Sequence, residues 1–338
     1  MSDVTRPVLR WHGGKWRLAP WVIAHLPPHR IYVEPFGGAA SVLLRKPRSY
    51  AEVYNDLDSD VVGLFRVLRE PLQARCLIEL LKLTPFSREE FLAAYEPADD
   101  PVERARRLVA RSFMAFGTTG RRKNAAGFRA KAYRENQTGA GDFVTHPDTL
   151  SAVVERMRGV TIEHKPAIAV MTAQDTPETL HYCDPPYMHA TRTAQAKWAN
   201  DRAYAVEMSD EEHVALLEAL KRLTGMVVLS GYPSALYDAA LSGWRRVEKA
   251  ALADGAKKRV EVLWINPRAS AALDRISTPM LPGFDPSSRA APQVRRDHSP
   301  DAGTMIPASK ATPQGRPAAR ALCADPTERT RGRTGKDA

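Results

Sequence analysis

Cysteine is scarce in this chain. The three present, Cys76, Cys183 and Cys323, stand far apart and without metal-ligand spacing. Neither a disulfide framework nor a metal site is expected, and the reducing cytoplasm is the natural location. No apolar run approaches the roughly 18 residues that a membrane span needs, and the first residues carry no apolar signal region. Also missing is the lysine-serine pair that follows a Gly-rich turn in nucleoside triphosphate sites. What is there is a 338-residue chain with 43% hydrophobic residues and a formal charge of +10. That suffices for one large domain with an insertion, or for two small domains. The charge points to an acidic polymer as partner and serves DNA, RNA or an anionic membrane equally well.

The positive charge is concentrated. Residues 101–140 hold ten basic side chains and two acidic ones, Glu103 and Glu135, a net +8. From about Ile276 to Ala338 the sequence is rich in Pro, Ala, Ser, Thr and Arg, and too poor in large apolar residues to offset the entropy of ordering. This segment, basic by ten to six, is read as a disordered tail. Elsewhere, short β-prone runs are expected as strands: Ile31–Val33, Ala51–Tyr54, Val160–Ile162, Leu180–Cys183, Met226–Leu229 and Val260–Ile265. Helices fit Asp58–Arg69, Arg88–Tyr95, Pro101–Ala115 and Asp210–Leu223, the last opening on a Ser209/Glu212 capping box. Such alternation predicts an α/β fold with a mostly parallel sheet and helices on both faces. The stretch 61–159 lacks good strands and reads as a helical, basic insertion.

Two clusters suggest a ligand pocket. Glu34-Pro35-Phe36-Gly37-Gly38-Ala39-Ala40-Ser41 follows the first strand, where a doubly wound sheet presents its ligand edge and where glycine lets the backbone approach a ligand. Asn55-Asp56 ends the next strand, at the distance where an acid meets ribose hydroxyls. The bland alternative is a tight turn plus a helix-capping aspartate. Trp11-His12-Gly13-Gly14-Lys15 reads as a loop against a ligand, with Lys15 able to meet a carboxylate, or else as an exposed turn.

Asp184-Pro185-Pro186-Tyr187 follows the strand ending at Cys183. Its prolines fix the backbone and remove two N–H donors. An anionic acceptor, bare carbonyls and an aromatic ring remain. That set suits an exocyclic amine or amide: Asp184 and the Pro185 carbonyl accept its two N–H bonds and aim its lone pair, while Tyr187 stacks on the base. A proline-rich turn with a capping aspartate is the alternative. Cys183 reads as a buried strand residue, and His12, His164 and His213 have neither triad nor metal spacing.

In this order the clusters resemble the Dam-type family of DNA adenine-N6 methyltransferases, which carry a DPPY motif. The resemblance rests on Trp11–Lys15, Glu34-Pro35-Phe36 with Gly38 and Ser41, Asn55-Asp56-Leu57 and Tyr182–Tyr187. Ser230-Gly231-Tyr232-Pro233-Ser234 and Arg259–Asn266 add to it, so that it covers roughly 8–268. It implies a Rossmann-like methyltransferase sheet built from 1–60 and 160–275, with 61–159 as the inserted target-recognition domain. It implies S-adenosylmethionine as cofactor, held by Trp11, Lys15, Asp56 and Asp184, with Glu34, Phe36 and Gly38 in the cofactor loop. It implies duplex DNA as substrate, with the target adenine flipped into the pocket, and a monomer without metal. Three departures stand out. Ala40 occupies a position that is usually glycine. Glu163-His164-Lys165-Pro166 lacks the acidic or small polar residue common after that strand. Between Phe116-Gly117 and Gly127-Phe128, which resemble the ends of the family's DNA-reading hairpin, the residues match no known specificity.

Within that loop, Arg121, Arg122 and Lys123 are expected to neutralise phosphates, as is Arg129 just beyond it. An arginine there is also suited to a guanine edge and Asn124 to adenine. Two rival functions fit the sequence less well. Enzymes acting on cytosine N4, RNA or a protein glutamine more often carry Ser or Asn where Asp184 stands. A catalytically silent DNA-binding protein has no need of Lys15, Asp56 and Asp184 together. The motifs do not separate a solitary enzyme from the modification half of a restriction-modification pair.

Overall fold

Seven strands form one sheet: β1 (Ile31–Glu34), β2 (Ala51–Asn55), β3 (Val160–Glu163), β4 (Thr179–Cys183), β5 (Met226–Gly231), β6 (Arg245–Leu252) and β7 (Lys258–Ile265). The structure, a computed structural model, describes residues 3–116, 127–130, 138–188, 191, 206–252 and 258–277. The strand order is β3-β2-β1-β4-β5-β7-β6. The first five strands in sequence run parallel to one another, and β7 is antiparallel to both its neighbours. The order reverses between β1 and β4, which is the switch point where doubly wound sheets bind ligands at their carboxyl edge.

Helix α1 (Ala19–Ile23) precedes the sheet. Between β2 and β3 lie α2 (Ser59–Arg69), α3 (Pro71–Leu83), α4 (Arg88–Ala93), α5 (Pro101–Met114), α6 (Gly139–Val144) and α7 (Leu150–Met157). Then α8 (Ala167–Ala173) joins β3 to β4, α9 (Asp210–Arg222) lies before β5, α10 (Ala235–Ala240) after it, and α11 (Pro267–Ser277) follows β7. Local chemistry sets their starts. Asp58, Ser87, Asp100 and Ser209 each cap a helix by accepting a backbone N–H, and Ser209 completes its capping box with Glu212.

Both faces of the sheet are buried, as a parallel sheet requires. Successive residues point to opposite sides. Val228, Leu263 and Ile265 join a core with Phe65, Leu64 and Val109 of α2 and α5. Val227, Leu229 and Trp264 join a second core with Leu216, Leu217 and Leu220 of α9.

Several features differ from the sequence reading, among them α1, α8 and α10, for which it has no helix. β6 was not expected, because Arg245-Arg246-Val247-Glu248-Lys249 is too charged to read as a strand. It is an edge strand, and edges tolerate charge. Helix α3, also unread, begins with Pro71 at its first turn and buries Ala74, Leu77 and Leu81. Helix α11 runs to Ser277, past the expected start of the tail at Ile276; the rest of that tail lies outside the described residues.

Candidate active site

A cavity of about 270 Å³ opens at the carboxyl edge of the sheet. Its wall includes Trp11, Lys15, Glu34, Phe36, Gly38, Asp56 and Asp184, all seven residues expected to hold a cofactor, and Pro186 beside them. Leu57 and Pro166–Ile168, which follow β2 and β3, line the side away from β4. Leu57, Pro166, Ala167 and Ile168 give that side an apolar surface beside Asp56 and Asp58, whereas the β4 side carries Lys15 and Asp184.

The Gly-rich turn is held by side chains from β2 and the N-terminal loop. A Cβ on Gly37 would lie 2.2 Å from the Tyr54 ring, so only glycine fits beneath it. Gly38 has φ +46 and presses against the Trp11 indole, where a Cβ would come within 2.8 Å. Its N–H donates to Asp56 at 2.7 Å, and the Tyr54 hydroxyl donates to its carbonyl at 2.7 Å. Ala40 adopts φ +53, the left-handed conformation that glycine favours. The turn therefore keeps a glycine-like backbone although an alanine stands there. Asp56 is not the cap of α2; that role belongs to Asp58, whose own N–H donates to Asp56.

Glu34 is buried and accepts hydrogen bonds from the Tyr32 hydroxyl at 2.8 Å and the Leu43 N–H at 3.0 Å. Burial pushes its carboxyl up to about 8, against the pull of those two donors.

Lys15 is buried too, and not part of an exposed turn. Its ammonium donates to the Gly13 carbonyl at 2.9 Å, meets the Asp184 carboxylate at 2.9 Å, and lies 4.7 Å from the centre of the Tyr187 ring. Ser230, at the end of β5, donates to Asp184 at 2.7 Å. Residues 185–188, which follow Asp184, form no helix, so it is not a helix cap. The Tyr187 hydroxyl donates to Glu261 at 2.9 Å, and its ring meets Tyr232 edge to face at 4.5 Å. Burial pushes the Cys183 thiol up, in keeping with a strand residue and not a nucleophile.

Sequence reasoning gives no role to His12, which lines the cavity, nor to Ser230 and Glu261, which bond Asp184 and Tyr187. One local mark of Glu261 is that it is the charged residue within the apolar run Val260–Ile265. Arg129 pairs with Asp142 at 2.9 Å, just after Phe128, whose bridge to Ala115 closes the base of the intervening loop. Arg121, Arg122, Lys123 and Asn124 lie outside the described residues.

A family model described as D12 class N6 adenine-specific DNA methyltransferase matches residues 11–249. The chain belongs to this family. Shorter matches link it to the DNA adenine methylases of Escherichia coli (strain K12), 38% identical over 64 residues, 19% of this chain and 23% of that protein. The protein of the same name from Serratia marcescens is 36% identical over 64 residues, again 19% and 23% of the two chains. That from Vibrio cholerae is 36% identical over 69 residues, 20% and 24%. The chain thus spans about a quarter of the length of the curated relatives it matches. The D12 match takes in the whole described cavity wall, and it ends before Arg259 and Glu261.

Proposed function

We propose that this chain transfers a methyl group from S-adenosylmethionine to the N6 amine of an adenine flipped out of duplex DNA. The observation that carries the reading is the Lys15–Asp184 pair, set on the wall of a cavity at the sheet's switch point. The strand order with a single reversed strand, β7, supports a Rossmann-like methyltransferase sheet, with 61–159 as its target-recognition insertion.

The donor set suits this cofactor. Its methionine end is zwitterionic, and the β4 side of the cavity offers a cation and carboxylates. Its adenosyl end is flat and weakly polar, and the far side offers Leu57, Pro166 and Ile168. Asp56, fixed by two backbone N–H groups, faces the same cavity as an acceptor for ribose hydroxyls. Trp11, Phe36 and Gly38 shape the wall between. When bound, S-adenosylmethionine supplies an electrophilic methyl group on a sulfonium.

The chain's part is to prepare the nucleophile. The lone pair of an exocyclic amine is delocalised into the base. Asp184 and the Pro185 carbonyl accept its N–H bonds and hold the nitrogen closer to tetrahedral. As the nitrogen becomes cationic, the Asp184 carboxylate stabilises it, an effect strengthened by partial burial. Lys15 and Ser230 keep that carboxylate in one orientation. The Pro186 ring lines the pocket, and Tyr187 supplies aromatic surface to the base. Arg121, Arg122, Lys123, Asn124 and Arg129 serve the phosphates and base edges.

The decisive measurement is mass spectrometry of nucleosides from duplex DNA incubated with the protein and S-adenosylmethionine. N6-methyladenine is the expected product; N4-methylcytosine, or no methylated base, would overturn the reading.

A further inference from the structure

We propose that Glu261 is a positioning residue for methyl transfer, holding the Tyr187 ring so that the catalytic loop and the Lys15–Asp184 pair keep their geometry. The inference rests on the methyltransferase reading above.

β7 runs against the rest of the sheet, so its first residues lie at the edge where the parallel strands end. Val262 is registered with Gly231, the last residue of β5. Arg259 and Glu261, two apart on one strand, point to the same side. Glu261 accepts the Tyr187 hydroxyl at 2.9 Å, and the Arg259 guanidinium lies 4.9 Å from the centre of the Tyr232 ring. Tyr232 in turn meets Tyr187 at 4.5 Å. Two charged side chains of β7 thus brace two aromatic rings, and one of those rings belongs to the catalytic loop.

The other end of the chain of contacts reaches the reacting group. The Lys15 ammonium lies over the same Tyr187 ring and pairs with Asp184. Tyr187 is therefore held between Glu261 at its hydroxyl and Lys15 at its face. A carboxylate buried as deeply as Glu261, 7% exposed, is costly for an apolar neighbourhood. Burial raises its carboxyl above the usual range, with Lys15 opposing and Asp184 reinforcing the rise. Lys15 thus pairs with one carboxylate, Asp184, and acts through charge on the other, Glu261. Releasing Tyr187 frees the ring beneath Lys15, and the contact with Asp184 loosens.

The test is a double-mutant cycle on single-turnover methylation of duplex DNA, using Glu261→Gln, Tyr187→Phe and the pair together. Tyr187→Phe removes the hydrogen bond and Glu261→Gln leaves a neutral acceptor in place of a charged one, so each single variant is expected to react about tenfold more slowly. The affinity for S-adenosylmethionine, which Lys15 and Asp184 also meet, is expected to fall by less than the rate does, and that for DNA to stay within about twofold of wild type, both measured by calorimetry. The double variant is expected to be no slower than either single one. Multiplicative losses, a wild-type rate for Glu261→Gln, or a weakened cofactor affinity that accounts for the loss would each overturn the proposal. If Glu261→Gln does not fold, Tyr187→Phe reads the same bond from the other side, and a wild-type rate there overturns it equally. A wild-type protein that methylates no adenine overturns the activity reading and this inference with it; an active wild type with independent variants overturns the inference alone.

Discussion

The ammonium of Lys15 lies 2.9 Å from the carboxylate of Asp184. The first stands in the loop before α1 and the second in the loop after β4, so folding alone brings them together. Their side chains are 6% and 17% exposed. At that burial, loss of hydration offsets much of the attraction, and such a pair adds little net stability. Its position on the cavity wall ties it instead to the chemistry there.

Asp184→Asn keeps the shape of the side chain and removes its charge. Methylation is expected to fall by roughly 10²–10³-fold, the cost of losing one preorganised electrostatic partner of a transition state. Non-specific DNA binding should stay near wild type. Methyl transfer from labelled cofactor and a gel-shift titration check both; equal activity in the variant would refute the role given to Asp184.

Gly37→Ala puts a methyl group where the Tyr54 ring already is, 2.2 Å away. Overpacking of this kind costs about 1–3 kcal/mol, and here the turn that moves is the cofactor turn. Calorimetry should find S-adenosylmethionine binding weakened by tenfold or more. Binding as tight as wild type would mean that Tyr54 gives way without moving Gly38.

Glu34 makes a prediction about pH. Its carboxyl is raised to about 8 in the folded chain, chiefly by burial, from an ordinary value near 4.5. The folded state therefore holds its proton where the unfolded state has released it. Stability from this group is present at low pH and is lost as pH rises from about 4.5 through about 8. Glu34→Gln, always neutral, removes that loss. Relative to wild type it should gain melting temperature between pH 6 and pH 9. Parallel melting curves that keep a constant gap across this range would show that Glu34 is ionised at both.

Alanine at Arg121, Arg122 and Lys123 should flatten the dependence of DNA affinity on salt. Three lost phosphate contacts lower the slope of log K against log salt by roughly 2.7. Fluorescence titrations across a salt series measure this directly. An unchanged slope would place the DNA surface elsewhere.

Much of the sheet was legible because its strands are buried on both faces and read as short apolar runs. β6 escaped notice because, at the edge, nothing requires its charged residues to be apolar. The cofactor side of the cavity was legible for a different reason. Gly37, Gly38 and Asp56 answer to backbone constraints that short motifs record. Ser230 and Glu261 meet the site through Asp184 and Tyr187, partners distant in sequence, and no local spacing names those partners. Ile168 looks like an ordinary apolar residue in the sequence and becomes cavity wall only once β2 and β3 are side by side.

The antiparallel β7 has a consequence for the order in which the protein is made. Lys15 leaves the ribosome early, Asp184 well past the middle of the described residues, and Glu261 near their end. Strands β1 to β5 have all been synthesised before the strand that steadies Tyr187 exists. A nascent chain can thus hold Lys15 and Asp184 while the catalytic loop still lacks its support. Methylation in step with synthesis should switch on only when β7 has emerged and docked.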